Sequence, residues 1–273
     1  MTPDFPTSDP DLNAILQRFN AGLQAALGGN LAALYLQGSF GMGESDQDSD
    51  VDFLVAIRRE LNPAELAALQ SLHACIFDLP SPWAQHLEGS YFPLEILRQA
   101  DAGRAELWYL DNTARELERS THDNTRVVRW VVRRHGIPLY GPPARDLIDP
   151  IPADELRAEV RATMRAWGDE ISRGQYDMSN RWAQPFAVIS YCRMLQSLQT
   201  GTIESKPAGV RWGLANLDEG WHELIRRAWQ DRPDPGFKVR QPADPADVDS
   251  TLRFIQYALN LAAGERTAPN SAD

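Results

Sequence analysis

Asp50 and Asp52 stand two positions apart at the start of an apolar run, in the stretch "QGSFGMGESDQDSDVDFLVAI" that covers residues 37–57. Side chains alternate along a strand, so this spacing predicts both carboxylates on one face, with Val51 and Phe53 on the other. Two carboxylates so near a core repel one another unless a proton or a cation lies between them. A divalent ion removes that penalty, and Mg²⁺ prefers oxygen ligands, phosphate oxygens among them. Gly38 and Ser39 end the apolar stretch that precedes the acids. A glycine there lets backbone approach a phosphate closely, and a serine hydroxyl with neighbouring N–H groups can hold its oxygens. These residues predict a phosphate cradle and a metal pair presented to one triphosphate.

Two other chemistries compete for the same acids. From Asp46, the residues Asp46, Asp48 and Asp50 fit the start of a calcium loop, but Val51 occupies the glycine position and Ile57 the closing glutamate position. Both departures are disabling, since the glycine makes the sharp turn and the glutamate completes the coordination. A solvated acidic turn accounts for Glu44, Asp46 and Asp48. It does not account for Asp52, which lies inside the apolar run.

The elements that must position these residues are legible in part. "DPDLNAILQRFNAGLQAALGG" places Leu12, Leu16, Phe19, Leu23 and Leu27 at helical spacing, with Asp9 or Asp11 as cap and Gly28-Gly29 as stop. "LAALYLQG" and "VDFLVAI" predict strands on either side of the acidic turn. "NPAELAALQSLHACIF" predicts a helix capped by Asn62 with Pro63 at its first position. "HLEGSYFP" and "AELWYLD" read as further strands, and "HDNTRVVRWVVRRHG" as a helix ending in basic residues and Gly136. Composition changes at "YGPPARDLIDPIP". Beyond it, "ADELRAEVRATMRAWGDEISRG", "SNRWAQPFAVISYCRMLQSLQTG", "GWHELIRRAWQD" and "DVDSTLRFIQYALNLAAG" predict four amphipathic helices, the last two joined by a proline-rich loop. The expected organisation is an α+β domain over residues 1–147, an all-α helical bundle over 148–265 and a flexible tail over 266–273.

Bulk properties narrow the function classes. A formal net charge of −11 argues against a nucleic-acid binder and suits a cationic small-molecule partner. Cys75 and Cys192 match no metal-ligand spacing, and the five histidines form no paired-ligand motif. No apolar run approaches a membrane span, and "MTPDFPTSDPDLN" is the reverse of a secretory signal. A cytoplasmic location without membrane contact is expected. Tryptophans at helical spacing, such as Trp130, Trp167 and Trp182, are expected in cores.

"GSFGMGESDQDSDVD" resembles the signature of the polymerase-beta-type nucleotidyltransferases: a glycine-serine bend, then an aspartate-x-aspartate on the next strand. The resemblance implies a short mixed sheet with flanking helices and a third acid from a later strand. Asp78, Glu88 and Glu95 are the candidates. Asp78 ends a helix pattern and Glu95 follows Pro93 in a turn-like setting, which leaves Glu88 within "HLEGSYF".

The likeness extends to the aminoglycoside adenylyltransferases that modify streptomycin and spectinomycin. It is strongest from Leu31 to Ile57 and returns at "GIPLYGPPARDLIDPIP" and "ISYCRMLQSLQTGTIESK". Carried over residue by residue, it implies Mg²⁺ on Asp50 and Asp52 with Glu88 as third acid and catalytic base. It also implies ATP phosphates on Gly38 and Ser39, with Arg193 and Lys206 reaching the triphosphate from the helical domain. Blander roles stand beside the last two: Arg193 as the partner of a nearby acid, Lys206 as a solvated loop lysine. The implied acceptor is a hydroxylated, cationic small molecule, acted on by a monomer. The streptomycin enzymes pack a tryptophan on the drug; Asn112 falls at that position here, with Trp108 beside it and Asp177 as an acidic contact. Transfer to a protein or another metabolite, and a non-catalytic nucleotide-binding module, are the alternatives.

Overall fold

The computed structural model describes residues 6–98 and 105–264, so the expected tail at 266–273 lies outside the described residues. Helix α1 (Pro10–Leu27) starts where the Asp9 carboxylate accepts the N–H groups of Asp11 and Leu12, and it stops at Gly28. Strand β1 (Leu31–Leu36), a single helical turn α2 (Gly38–Gly41) and strand β2 (Val51–Ile57) follow. Helix α3 (Pro63–Phe77) opens with a reciprocal cap in which Asn62 accepts the Glu65 N–H and Glu65 accepts the Asn62 N–H. Then come β3 (Leu87–Pro93), α4 (Leu94–Arg98), β4 (Leu107–Leu110), β5 (Glu118–Ser120), α5 (Arg126–His135) and β6 (Ile137–Tyr140).

The strands form one mixed sheet in the order β5-β4-β3-β2-β1-β6. Only β2 and β3 run parallel among these neighbours; the other pairs are antiparallel. Alternation divides the strand side chains between two cores. Leu34, Leu36, Val51, Phe53, Val55, Leu87 and Tyr91 pack under the apolar stripe of α1 and under Leu69 and Ile76 of α3. Ala33, Tyr35, Leu54, Ala56, Phe92 and Leu107 pack on the other face with Leu97 of α4, Val132 of α5 and Ile148.

Two edge strands were absent from the sequence expectation. Strand β6 carries Pro138, which lacks an N–H and is tolerated only at an edge, so its pattern reads as a junction. Strand β5 has three residues, too few for alternation to register.

The chain divides between Ile151 and Pro152, a few residues beyond the expected boundary, because Ala144 and Ile148 belong to the sheet core. The second unit contains α6 (Ala153–Ser172), α7 (Ala183–Thr200), α8 (Lys206–Asn216), α9 (His222–Gln230), α10 (Pro235–Lys238) and α11 (Pro245–Ala263). The expectation of four helices missed α8 and the short α10. Gly209 and Gly213 weaken the helical pattern of α8, yet they allow its close approach to α7. A Cβ on Gly209 would lie 2.4 Å from Arg193 Cγ, and one on Gly213 would lie 3.0 Å from Cys192 Sγ. Trp167 stacks on Tyr191 and Trp182 on Phe186, with both tryptophans half-buried.

His73 sits in the sheet core with its Nε2 2.7 Å from the Tyr91 hydroxyl and its ring against Phe19 and Phe53. Burial lowers its pKa from 6.5 to about 3. Below pH 6.5 the unfolded chain binds a proton that the native chain refuses until about 3, so stability falls as pH drops through that window. At about 1.4 kcal/mol per pH unit, His73 should account for a loss of about 2 kcal/mol between pH 6.5 and pH 5. His73→Gln, which keeps a partner for Tyr91 but does not titrate, should lack this part of the slope in urea unfolding at the two pH values.

Candidate active site

With Val51, Phe53 and Val55 committed to the α1–α3 core, Asp52 falls on the opposite face together with Leu54 and Ala56. Asp50 stands one residue before the strand, and its charge acts on Glu88, the neighbour of Asp52 across β2–β3. Asp46 has a different role. Its carboxylate accepts the Asp48 N–H at 3.1 Å and the Ser49 hydroxyl at 3.1 Å, closing an exposed turn.

The glycine-serine bend lies directly against this face. Gly38 has φ +59°, and a Cβ placed on it would stand 1.8 Å from Asp52 Oδ2. The Gln37 N–H donates to the Asp52 carbonyl at 2.8 Å, tying the two segments by their backbones. Only glycine allows both the left-handed conformation and the contact. Beside it, Ser39 Oγ is buried and has no hydrogen-bond partner among the described residues. A buried hydroxyl left unsatisfied is uncommon and costly, and a phosphate oxygen would satisfy it. The turn itself is held in place by Phe40, edge-on to Trp83, and by Gly41, which packs against the His135 carbonyl.

The β2–β3 register places Glu88 directly beside Asp52. Gly89 follows, and a Cβ there would meet the Phe53 carbonyl oxygen at 2.0 Å, so the two strands close up only because that side chain is missing. Glu88 is half-buried. Its pKa is raised, first by burial and then by the charges of Asp50 and Asp123, against the lowering effect of a hydrogen bond from Tyr109. The Tyr109 hydroxyl lies 2.6 Å from Glu88 Oε1 and 3.0 Å from Asp111 Oδ1, one proton facing two carboxylates. Burial and Glu88 push the Tyr109 phenol far above its ordinary range. His122 Nε2 stands 3.8 Å from Glu88 Oε1. Behind Glu88, the Ser90 hydroxyl donates to buried Asp123 at 2.8 Å, and burial raises the pKa of that carboxyl too.

Sequence reasoning passed over Tyr109, Asp111, His86, His122 and Asp123 as site residues. The available signal was alternation in "LWYL". Tyr109 pairs with Ser90 across β3–β4 and faces Glu88, whereas Trp108 packs against the α1–α3 core, with Arg119 over its ring. Trp108 is therefore on the far side of the sheet from the acids. Asn112 does lie at the site: its Nδ2 donates to Asp50 Oδ1 at 2.6 Å, and its Oδ1 faces His86 Nδ1 at 3.0 Å.

The remaining expected residues lie in the helical unit. Asp177 is exposed and accepts the Ser179 N–H at 2.8 Å and its hydroxyl at 2.5 Å, shaping the turn before α7; these bonds lower its pKa. Arg193 on α7 donates to the Glu204 carbonyl at 2.9 Å, and its stem lies across Gly209 of α8. Lys206 is the first residue of α8, after the Ser205 cap, and so is helical rather than in a loop. A cavity of about 170 Å³ in this unit, lined by Arg181, Val188, Leu224 and Thr251 among others, contains none of the expected residues.

Among the described residues no three acidic, histidine or cysteine side chains close a metal site unaided. Mg²⁺ is commonly bound through one or two carboxylates plus substrate phosphates and water. The unpartnered Ser39 hydroxyl, the bare Gly38 and the same-facing acids fit a magnesium–triphosphate group.

Comparisons with known proteins find adenylyltransferases. Residues 146–254 match the C-terminal domain family of the aminoglycoside adenylyltransferases. The chain is 24% identical over 229 residues to a spectinomycin 9-adenylyltransferase from Campylobacter jejuni, covering 80% of this chain and 85% of that protein. It is 26% identical over 251 residues to an aminoglycoside (3'') (9) adenylyltransferase from Klebsiella pneumoniae, covering 83% and 86%. Its fold is similar to the crystal structure of spectinomycin adenyltransferase AAD(9) from Enterococcus faecialis with ATP and spectinomycin. The TM-score is 0.67 over 90% of this chain and 98% of that one, and at 15% identity the likeness is one of fold.

Gly38 and Gly43 separate the two demands on the bend. Both have positive φ, but a Cβ on Gly43 would meet nothing within 4 Å. Gly43→Ala should cost about 1 kcal/mol of stability and leave nucleotide affinity nearly unchanged. Gly38→Ala should cost a similar amount and also weaken ATP binding about tenfold or more, because Asp52 must move; calorimetric titration of both variants checks this.

Proposed function

We propose, for a chain that belongs to the aminoglycoside adenylyltransferase family, that it transfers AMP from ATP to a hydroxyl of a cationic aminocyclitol antibiotic, spectinomycin in the first instance. It is the packing of Gly38 against Asp52, with Glu88 beside it, that carries this assignment. The phosphate cradle and the acids are thereby one site rather than two. Spectinomycin is favoured over streptomycin because the position where the streptomycin enzymes pack a tryptophan on the drug holds Asn112, which bonds Asp50 and His86, and Trp108 packs in the opposite core.

In this mechanism Ser39 Oγ and the backbone at Gly38 hold the terminal phosphates and direct the α-phosphorus toward Glu88. Asp50 and Asp52, with Glu88 as the third acid beside them, would hold Mg²⁺, which would supply charge neutralisation to the triphosphate. Glu88 accepts the proton of the acceptor hydroxyl. Burial favours that role by raising its pKa, while Tyr109 fixes the direction of the carboxylate. The acceptor oxygen forms a bond to the α-phosphorus in line with the bridging oxygen. The bond to that oxygen breaks, and pyrophosphate leaves with its electron pair. Most of the rate then comes from positioning and from charge placed in advance.

Incubation with ATP, Mg²⁺ and each antibiotic, followed by mass spectrometry, should show a gain of one adenylate on spectinomycin. No gain on any aminocyclitol would remove the acceptor assignment. Asp50→Asn should lower transfer by about 10³-fold, on the scale of losing a principal electrostatic group. Asp46→Asn keeps the oxygen that closes its turn and should stay within about twofold of the parent. Equal losses in the two variants would overturn the division of roles between these aspartates.

A further inference from the structure

We infer that Asn112 is a positioning residue for the nucleotide chemistry, fixing the direction of the Asp50 carboxylate; this rests on the reading of Asp50 as a magnesium-binding acid given above. Asp50 precedes Val51, the first paired residue of β2, so sheet pairing does not set its side chain. Asn112 donates to it at 2.6 Å and so holds one of its two oxygens.

The orientation of the amide follows from chemistry. An ionised carboxylate only accepts, so the Asn112 nitrogen must face Asp50, which turns its oxygen toward His86 Nδ1 at 3.0 Å. His86 must therefore carry its proton on Nδ1, and that donor prevents the amide from flipping. The His86 carbonyl meanwhile accepts the Val51 N–H at 2.8 Å, so one residue braces Asp50 through both its backbone and its side chain.

The backbone around Asn112 carries a second, independent sign. The Asn112 N–H donates to Asp111 Oδ1 at 3.0 Å, and the Ala114 N–H donates to the Asp111 carbonyl at 2.9 Å, closing a tight turn at the end of β4. Within it Thr113 has φ +65°. A β-branched residue in the left-handed region is an outlier, and such strain persists where surrounding contacts over-determine the conformation. Thr113 is exposed, so burial of its own side chain does not explain the strain. What the turn achieves is to bring Asn112 back from β4 to the start of β2, two strands away.

Mn²⁺ is the probe, titrated by electron paramagnetic resonance in the presence of an ATP analogue with a methylene group bridging the α- and β-phosphorus. Asn112→Ala should weaken Mn²⁺ binding about tenfold or more and lower the transfer rate in step, with acceptor KM and thermal unfolding midpoint unchanged. A folded Asn112→Ala protein whose Mn²⁺ affinity stays within twofold overturns the inference. A rise in acceptor KM alone would make Asn112 an acceptor contact instead, and also overturns it. If Asn112→Ala does not fold, His86→Ala, which removes only the brace on the amide, is read against the same twofold limit. Asp50→Asn distinguishes the two levels of failure. If it leaves Mn²⁺ affinity intact, the metal-site reading itself is wrong; if it weakens affinity while Asn112→Ala does not, only the positioning role fails.

Discussion

Two carboxylates held side by side by sheet register are the constraint around which the first unit is built. Asp52 and Glu88 are direct neighbours across the parallel β2–β3 pairing, one strand spacing apart, and Asp50 adds a third negative charge nearby. Like charges so placed disfavour one another, and the pKa of Glu88 is raised, first by burial and then by the charges of Asp50 and Asp123. The sheet does not relax to relieve this, because both of its faces are tied down. Phe53 and Val55 are locked under α1 and α3, and Leu54 and Ala56 are locked on the α4–α5 side. The charge is held in place by packing.

Missing side chains do as much as present ones in bringing these groups together. Gly38 lets the bend rest on the Asp52 carboxylate, and Gly89 lets β3 close on β2 immediately after Glu88. The bend is in turn anchored by a relay that reaches the first helix. Phe40 meets Trp83, and the Trp83 indole donates to Asp9 at 2.9 Å, the same carboxylate that caps α1. One aspartate thus fixes both the start of a core helix and the wall behind the phosphate cradle.

Hydrogen-bonding residues around the acids form a second layer that acts on direction rather than on charge. Tyr109 orients Glu88, and Asn112 with His86 orients Asp50. Each comes from β4, from the turn that follows it or from the residues just before β3, so the precision of the site depends on the edge half of the sheet as well as on its centre. Buried Asp123 and Ser90 support the same face from behind.

The local sequence determined what depends on local spacing. The alternation around Asp50 and Asp52, the glycine at the bend, the Asn62 cap and the change to helical patterning near Ile151 could all be read because each is specified by residues a few positions apart. Glu88 was legible as a charge in an apolar run, but its partner was not. Register between β2 and β3, the reach of Tyr109 and the return of Asn112 onto Asp50 join residues between 21 and 62 positions apart. Weak local patterns hid other elements: Pro138 disguised β6, and the glycines of α8 lowered its helical signal. Only the tertiary structure decided that Tyr109 rather than Trp108 meets Glu88 and that Asn112 meets Asp50. A side chain's face is set by its own strand, whereas the atoms it meets there are set by which strand packs alongside.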